Sequence, residues 1–409
     1  MGEEGTAQDN DGHNAPPSLT TGAQCTGVRV IMPAAALRPQ PNYRQTGGMR
    51  VIVIGSGIAG ASTAHQLARR GAEVVVVDAG RPGVATAAGA GIVCPWTSRR
   101  GDDEYRFAAA AAAYYPELIA QLAEDGAGET SFEVVGGMVV SADPAELDEA
   151  YQRVSERAAG EPAAGEVSRL DPAQARELFP ALAPDLAAVH VSGGGRVDGR
   201  RMRQALLDAA VARGARIAEG AAELAGRGVR VAGEELAADK VVVAAGAWSS
   251  ELVPSVAVAP QRGQISHFEL PGVDTARWPV VLPVSSHYLL AFPGSRVVAG
   301  ATRETGSGFD HRITAAGQRE VLDHALTVAP GLADATLLET RIGFRPASPD
   351  GLPLLGPLAE RPDVLIATGF GPGGLTVAPF AGRLVAGLAL GEEVPVDLAP
   401  YRPERFTGR

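Results

Sequence analysis

Apolar positions along the chain fall into two kinds of run. Unbroken runs at residues 51–54 and in "AEVVVVD" (72–78) have the pattern of short parallel strands buried on both faces. Between them Ala61, Ala64, Leu67 and Ala68 recur at i, i+3, i+4 spacing, which predicts a helix over residues 58–70 closed by Gly71. Near the other end "DVLIATG" (363–369) reads as a strand leading into a helix, "LTVAPFAGRLVAGLALG" (375–391). In the middle, "FEVVGGMVVSA" (132–142) and "HYLLAFPGSRVVAGAT" (287–302) read as strands joined by turns, whereas "RMRQALLDAAVARGARIAEG" (201–220) reads as a helix followed by an edge strand. The alternation predicts α/β architecture at the ends and α+β architecture between them.

Two glycine patterns punctuate these elements. Gly55, Gly57 and Gly60 stand between the first strand and its helix, where the three have separate uses: a tight turn, close approach to a pyrophosphate, and close helix packing. Ile58 and Ala59 open the helix whose N-terminus faces the phosphates. Asp78, followed by Ala79, ends the second strand 18 residues after Gly60, where a carboxylate accepts from ribose hydroxyls. Gly369, Gly371 and Gly374 repeat the spacing, but the helix after them leads into "EEVPVDLAPYRPERF", whose prolines forbid a second long buried strand. That half unit holds no dinucleotide alone. Its helix N-terminus, with the N–H groups of Gly373, Gly374, Leu375 and Thr376, suits the anionic edge of a reduced flavin. The two loops therefore predict one FAD site built from both ends of the chain.

Length, charge and cysteine usage narrow the class. At 409 residues the chain exceeds the roughly 250–300 at which one core stops growing, so two compact units are expected. A net charge of −11 without any dense basic run argues against a nucleic-acid partner. Cys25 and Cys94 are too few and too far apart for a disulfide framework or a metal cluster, and suit a cytoplasmic protein. No uninterrupted apolar stretch reaches a membrane-spanning length; "FAAAAAAYYPELIA" is short and contains Pro116. Residues 1–48 lack the pattern of a secretory signal and read as a disordered extension. Met49 immediately precedes the first strand, so translation from Met49 is an expectation that mass spectrometry of the native protein tests.

With these parts in hand the chain resembles the D-amino-acid oxidase (DAO) family of flavoproteins, from Met49 to about Leu398. The ordered segments "RVIVIGSGIAGASTAHQLARRGAEVVVVD", "ATAAGAGIVCP", "KVVVAAGAWS", "PQRGQ", "RVVAGATRE", "GFRPASPDGLPLLG" and "ATGFGPGGLTVAP" carry the likeness. It implies a Rossmann-type FAD-binding domain (49–105, 185–255 and 340–398) interleaved with a substrate domain on a mixed, mainly antiparallel sheet (106–184 and 256–339). It implies non-covalent FAD, since no cysteine follows Cys94. Thr86, Gly91 and Ile92 are placed beside the pyrophosphate and flavin, Ala222 at the adenine, and Ala245, Gly246 and Trp248 near the cofactor. Gly89 stands where dehydrogenase-like members often carry Asn, and Phe370 where the family's turn usually has His.

Arg345, in "RIGFRPASPDG", is implied to pair with a substrate carboxylate, a role that suits a planar, permanently charged fork. The alternative is a structural ion pair with an acid such as Asp350. Tyr288 is placed beside the substrate; His287 next to it points the other way if the segment is a strand. The implied reaction is FAD-dependent oxidation of a small carboxylated amine at a CH–NH2 or CH–NH bond, most readily a D-amino acid, by hydride transfer from the α-carbon to flavin N5, with dioxygen or another acceptor taking the electrons. Glycine or sarcosine-type secondary amines, or a flavin subunit that needs a partner for turnover, are the alternatives.

Overall fold

A computed structural model describes residues 48–285 and 287–406; the expected N-terminal extension, except Gly48, and Cys25 lie outside them. Two large sheets organise the chain. The first has six strands in the order Leu354–Pro357, Val364–Thr368, Lys240–Val243, Arg50–Ile54, Glu73–Asp78 and Arg216–Glu219. Five of these are parallel, and only Leu354–Pro357 runs against its neighbour. Val51–Val53 and Val74–Val77 are no more than 1% exposed, as their unbroken apolar runs require of strands covered on both faces.

The opening helix (Ile58–Arg69) and the closing helix (Gly374–Leu390) pack against each other beside this sheet. Gly382 makes the close approach possible: a Cβ there would lie 2.8 Å from Ser62 Cβ and Thr63 N. Ser62 Oγ then donates to Pro379 O at 2.8 Å, tying one helix to the backbone of the other, while the Leu375 carbonyl that Pro379 leaves without its N–H partner accepts from the Tyr115 hydroxyl. The closing helix, with the turn before it (371–390), is long and apolar enough by composition to cross a bilayer, but about two thirds of it is buried within this fold.

The second sheet has nine strands. Ala259–Glu269 pairs antiparallel with Thr336–Ala347 over its whole length, and Tyr288–Phe292 pairs antiparallel with Arg296–Gly300. One junction, Val280–Pro283 with Gly137–Ser141, is parallel, so the sheet is mixed and mainly antiparallel. Strand Ala187–Val191 lies in this sheet, although it falls inside the 185–255 segment expected for the cofactor domain. Helix Asp102–Glu124 packs on the closing helix, although it falls almost wholly in the 106–184 segment expected for the substrate domain. Its small buried face, Ala108, Ala111 and Ala112, lets it lie there. The two layers thus interleave more finely than the expected boundaries.

One ionic cluster ties the helices together. Asp125, whose side chain is fully buried, accepts from Arg69 Nη1 (2.6 Å), Arg213 Nε (2.8 Å) and His65 Nε2 (2.6 Å). Burial opposes its ionisation, yet the bonds from Arg69, His65 and Arg213 prevail and hold its carboxyl at about 2, below the ordinary 3.8. Burial also keeps His65 below its usual range, hence neutral and donating at pH 7. With the folded value below the unfolded one, Asp125 contributes stability above about pH 4 that is lost as the pH falls through 2. Asp125→Asn should lose about 3 kcal/mol at pH 7, because two arginines lose their carboxylate. Its stability should also fall less steeply than the wild type's between pH 4 and 2, which urea unfolding across that range checks.

Candidate active site

Four parallel strands end on one cavity. Ile54, Val77, Ala244 and Ala367 line it, the position expected for a ligand at the carboxyl ends of a doubly wound sheet. The three opening glycines divide the work as their surroundings dictate. Gly55 has φ +101°, and a Cβ there would sit 2.4 Å from Ala244 O; at Gly60 a Cβ would sit 1.9 Å from Gly55 O. Both therefore serve the fold, and Gly60 does not line the cavity. At Gly57 the only atom within 4 Å of such a Cβ is Thr86 Oγ1, at 3.3 Å. What Gly57 keeps clear is the space in front of the helix, whose N-cap residue, Gly57 itself, supplies no capping side chain.

Ile58 and Ala59 line the cavity at that terminus, and Ile58 N–H donates to Thr86 Oγ1 at 2.9 Å. Asp78 and Ala79 line it further out. Asp78 Oδ2 is taken by Ser56, from N (2.6 Å) and Oγ (2.5 Å), while Oδ1 accepts only from Gly80 N (2.8 Å). One lone pair of Oδ1 is thus left for a ribose hydroxyl. Burial opposes the charge on Asp78, but the bonds from Ser56 and Gly80 outweigh it and hold the carboxyl below its usual range. Ala222 lines the same end, where Arg81 and Glu251 neutralise each other at 2.7 Å.

Ala245, Gly246 and Trp248 line the middle of the cavity, as do Gly91 and Ile92. Gly91 is fixed by the fold: its φ is +94°, and a Cβ would lie 1.7 Å from Val197 O. Trp248 faces the cavity while stacking on Phe309, ring centroids 4.8 Å apart. Gly371, Gly374, Leu375 and Thr376 bring the N-terminus of the closing helix, also without a capping side chain, to the same space. Thr376 Oγ1 donates to Ile92 O at 2.6 Å and joins the two segments.

Gly373 corrects the sequence reading. Its N–H is spent on Phe370 O (3.1 Å) in the tight turn before the helix, and its Cα faces Arg100, so it does not line the cavity. Phe370 and Gly89 both line it. A Cβ at Gly89 would come 2.9 Å from Leu375 Cδ1 and 3.2 Å from Ala85 O, so a larger residue there requires the Leu375 side chain to shift.

Tyr288 and Arg345 stand at the far end. Arg345 lies on Thr336–Ala347 opposite Gln261, and Tyr288 on the strand paired with Arg296–Gly300. Arg345 Nη1 donates to Thr302 O at 2.9 Å, and the Tyr288 phenol and the guanidinium lie near enough to act on each other's charge. Among the described residues no carboxylate forms an ion pair with it: Asp350, the alternative partner, is held by Arg405 at 2.8 Å, and Glu304, whose charge reaches the guanidinium, is held by Arg262. Desolvation pushes the Arg345 pKa down, against the opposing effect of Tyr288. Burial likewise raises the Tyr288 phenol, which stays protonated and able to donate. His287 lies outside this cavity, stacked on His324 with centroids 3.7 Å apart, and burial holds it at about 4.

Sequence reasoning missed two residues here. Gly263 faces Arg345 so closely that a Cβ would lie 2.6 Å from both Nη1 and Nη2, so the glycine makes the guanidinium's room. It sits inside the "PQRGQ" segment, but only pairing between distant strands reveals its use. Arg303, at the end of "RVVAGATRE", also lines the cavity. Cys94 is buried, and burial pushes its thiol up to about 12. Among the described residues no group of three or more His, Cys, Asp or Glu is placed to hold a metal.

These residues fit FAD. The cavity runs from a carboxylate with a spare acceptor, past a helix N-terminus kept open by Gly57, to a second helix N-terminus and a cationic end. Comparison with known proteins agrees. The family described as FAD dependent oxidoreductase (DAO) matches residues 50–388. A Bacillus subtilis (strain 168) protein described as an uncharacterized oxidoreductase, YurR, is 45% identical over 86% of this chain and 98% of its own length. Iminodiacetate oxidase from Chelativorans sp. BNC1 is 47% identical, with a TM-score of 0.84 over 87% of this chain and 99% of that one. Glycine oxidase from Geobacillus kaustophilus superposes with a TM-score of 0.78 at 28% identity, over 88% of this chain and all of that one. Motif, cavity and family match coincide over the same residues, and the chain belongs to the DAO family of FAD-dependent oxidoreductases.

Proposed function

We propose that this flavoenzyme oxidises a small amine bearing a carboxylate at the carbon next to nitrogen, with Arg345 holding that carboxylate. One observation carries the reading: a desolvated guanidinium faces the cavity beside a protonated phenol, and among the described residues no carboxylate forms an ion pair with it. A buried cation of this kind is costly unless a ligand completes it. Bound FAD supplies a two-electron acceptor for the hydride of the α-carbon, and dioxygen or another acceptor removes the electrons.

The chain's own residues have the complementary tasks. The six-stranded sheet would hold the cofactor: the free N-terminal N–H of Ala59 would serve the pyrophosphate, the spare lone pair of Asp78 Oδ1 a ribose hydroxyl, and the N–H groups of Gly374, Leu375 and Thr376 the anionic edge of the ring. The Thr86 hydroxyl accepts from Ile58 N–H, so its own proton is directed away from the helix. The nine-stranded sheet supplies Arg345 and Tyr288, which fix the carboxylate and so aim the α-carbon. No protein base is required, because the substrate enters with its nitrogen neutral.

A D-amino acid and a glycine-type amine, primary or N-substituted, share this geometry. The likeness to iminodiacetate oxidase and glycine oxidase favours the second. Anaerobic mixing of the yellow holoenzyme with D-alanine, D-proline, glycine, sarcosine and iminodiacetate tests both. Bleaching of the flavin band by a glycine-type amine, faster than by any D-amino acid, is the expected outcome. Bleaching by D-amino acids alone would return the reading to the first substrate class, and a flavin unmoved by every amine would leave a subunit that needs a partner.

A further inference from the structure

Three arginines line the cavity: Arg81, Arg303 and Arg345. Their charges are not disposed of equally. Arg81 is neutralised by Glu251 at 2.7 Å, at the end where Ala222 lies. Arg303 is exposed, sits on the turn between Arg296–Gly300 and Glu304–Thr305, and forms no hydrogen bond or ion pair among the described residues. Its neighbour Glu304 is already committed: Oε1 accepts from Gln264 and Thr302, each at 2.7 Å, and Oε2 from Arg262 at 2.5 Å. The charge of Arg303 is nonetheless felt at Tyr288, Arg345 and His287. The two acids lining the cavity, Asp78 and Glu251, have partners of their own, in Ser56 and Arg81. Of the residues that line the substrate end, two are cations and none is an anion; Glu304, whose charge reaches Arg345 from behind the lining, is shared with Arg262.

We infer that Arg303 is a specificity residue for a second carboxylate, so that the preferred substrate is a secondary amine with an acidic group on each side of the nitrogen. This rests on the reading of Arg345 as the grip on the first carboxylate. Two like charges at one end of a cavity repel, and a dianion relieves that repulsion where a single carboxylate leaves one cation to water. Because Arg303 is exposed, its contribution is screened, and about a tenfold preference is the scale expected of one such charge-assisted contact. Exposure also places the second carboxylate at the mouth, where Arg303 adds to steering of the dianion inward.

Holoenzyme and its Arg303→Met and Arg303→Lys variants provide the test, with two readouts. The first is equilibrium binding of diglycolate, an ether that cannot be oxidised at nitrogen, against methoxyacetate, which lacks the second carboxylate. The second is flavin reduction by iminodiacetate against sarcosine. Wild type should favour the dicarboxylate about tenfold in binding, less at high salt. Arg303→Met should abolish that preference while leaving methoxyacetate binding and FAD content unchanged, and Arg303→Lys should restore part of it. An unchanged ratio in Arg303→Met, or an equal loss for mono- and dicarboxylate, overturns the assignment. Failure of the underlying reading is distinguishable, since then neither methoxyacetate nor sarcosine would respond to Arg345→Met.

Discussion

Gly57→Asp should purify as a folded but colourless protein, with FAD affinity lowered by about a thousandfold. The size follows from Coulomb's law: a carboxylate about 4 Å from a phosphate charge costs about 4 kcal/mol at the effective dielectric of a protein surface, equivalent to about three decades in Kd. The retained fold follows from the surroundings of Gly57. A Cβ there meets only the Thr86 hydroxyl, at 3.3 Å, a gap that a small shift of one side chain relieves. Gly60→Ala is the contrasting control. Its Cβ would fall 1.9 Å from Gly55 O and 3.3 Å from Ala244 Cβ, so the helix must leave the strand and thermal stability should drop whether or not FAD is present. Circular dichroism, the 450 nm band and a cofactor titration separate the two. A yellow Gly57→Asp protein with near-normal affinity would remove the opening helix from the pyrophosphate.

This contrast also marks how far the sequence carries. The opening strand, turn and helix were legible because one local requirement, a continuous apolar run beside a glycine turn, leaves little else for the segment to be. The closing half unit was legible for the same reason, and the prolines after Gly391 fixed that it stopped there. Gly373 was misread because spacing alone cannot tell which N–H groups of a turn are spent inside it, as the Gly373 N–H is on Phe370 O.

The substrate end was legible only through its likeness to a family. Arg345 and Gly263 are 82 residues apart and face each other because two long strands pair in one register, Gly263 opposite Gly343 and Gln261 opposite Arg345. Nothing in either local segment encodes that register. Arg303 was invisible for a different reason. An arginine beside a glutamate in "TRE" reads as a solvated surface pair, and only the hydrogen bonds that commit Glu304 to Arg262, Gln264 and Thr302 leave Arg303 to the cavity. The division of the chain into segments blurred where the alanine face of Asp102–Glu124 meets the closing helix, since such a face packs equally well on either layer.

Arg345→Met should lower kcat/KM for carboxylated amines by about 10²–10³-fold, the scale of removing one partner from a desolvated charge pair. Both parameters should move: KM rises because the carboxylate loses its grip, and kcat falls because an untethered α-carbon is no longer held within reach of the acceptor. Stability should behave in the opposite way. Desolvation already pushes the Arg345 guanidinium below its ordinary range, so in the free enzyme its charge is less comfortable in the fold than in water. Removing that charge leaves Thr302 O without one donor but ends the repulsion with Arg303, so Tm should stay level or rise while FAD remains bound. Arg345→Lys should recover only part of the activity, because a point charge cannot make two parallel bonds to one carboxylate. An amine without a carboxylate, already a poor substrate, should be oxidised equally by wild type and variant. A stable, yellow Arg345→Met protein that oxidises glycine-type amines within threefold of the wild-type rate would detach the carboxylate from this arginine.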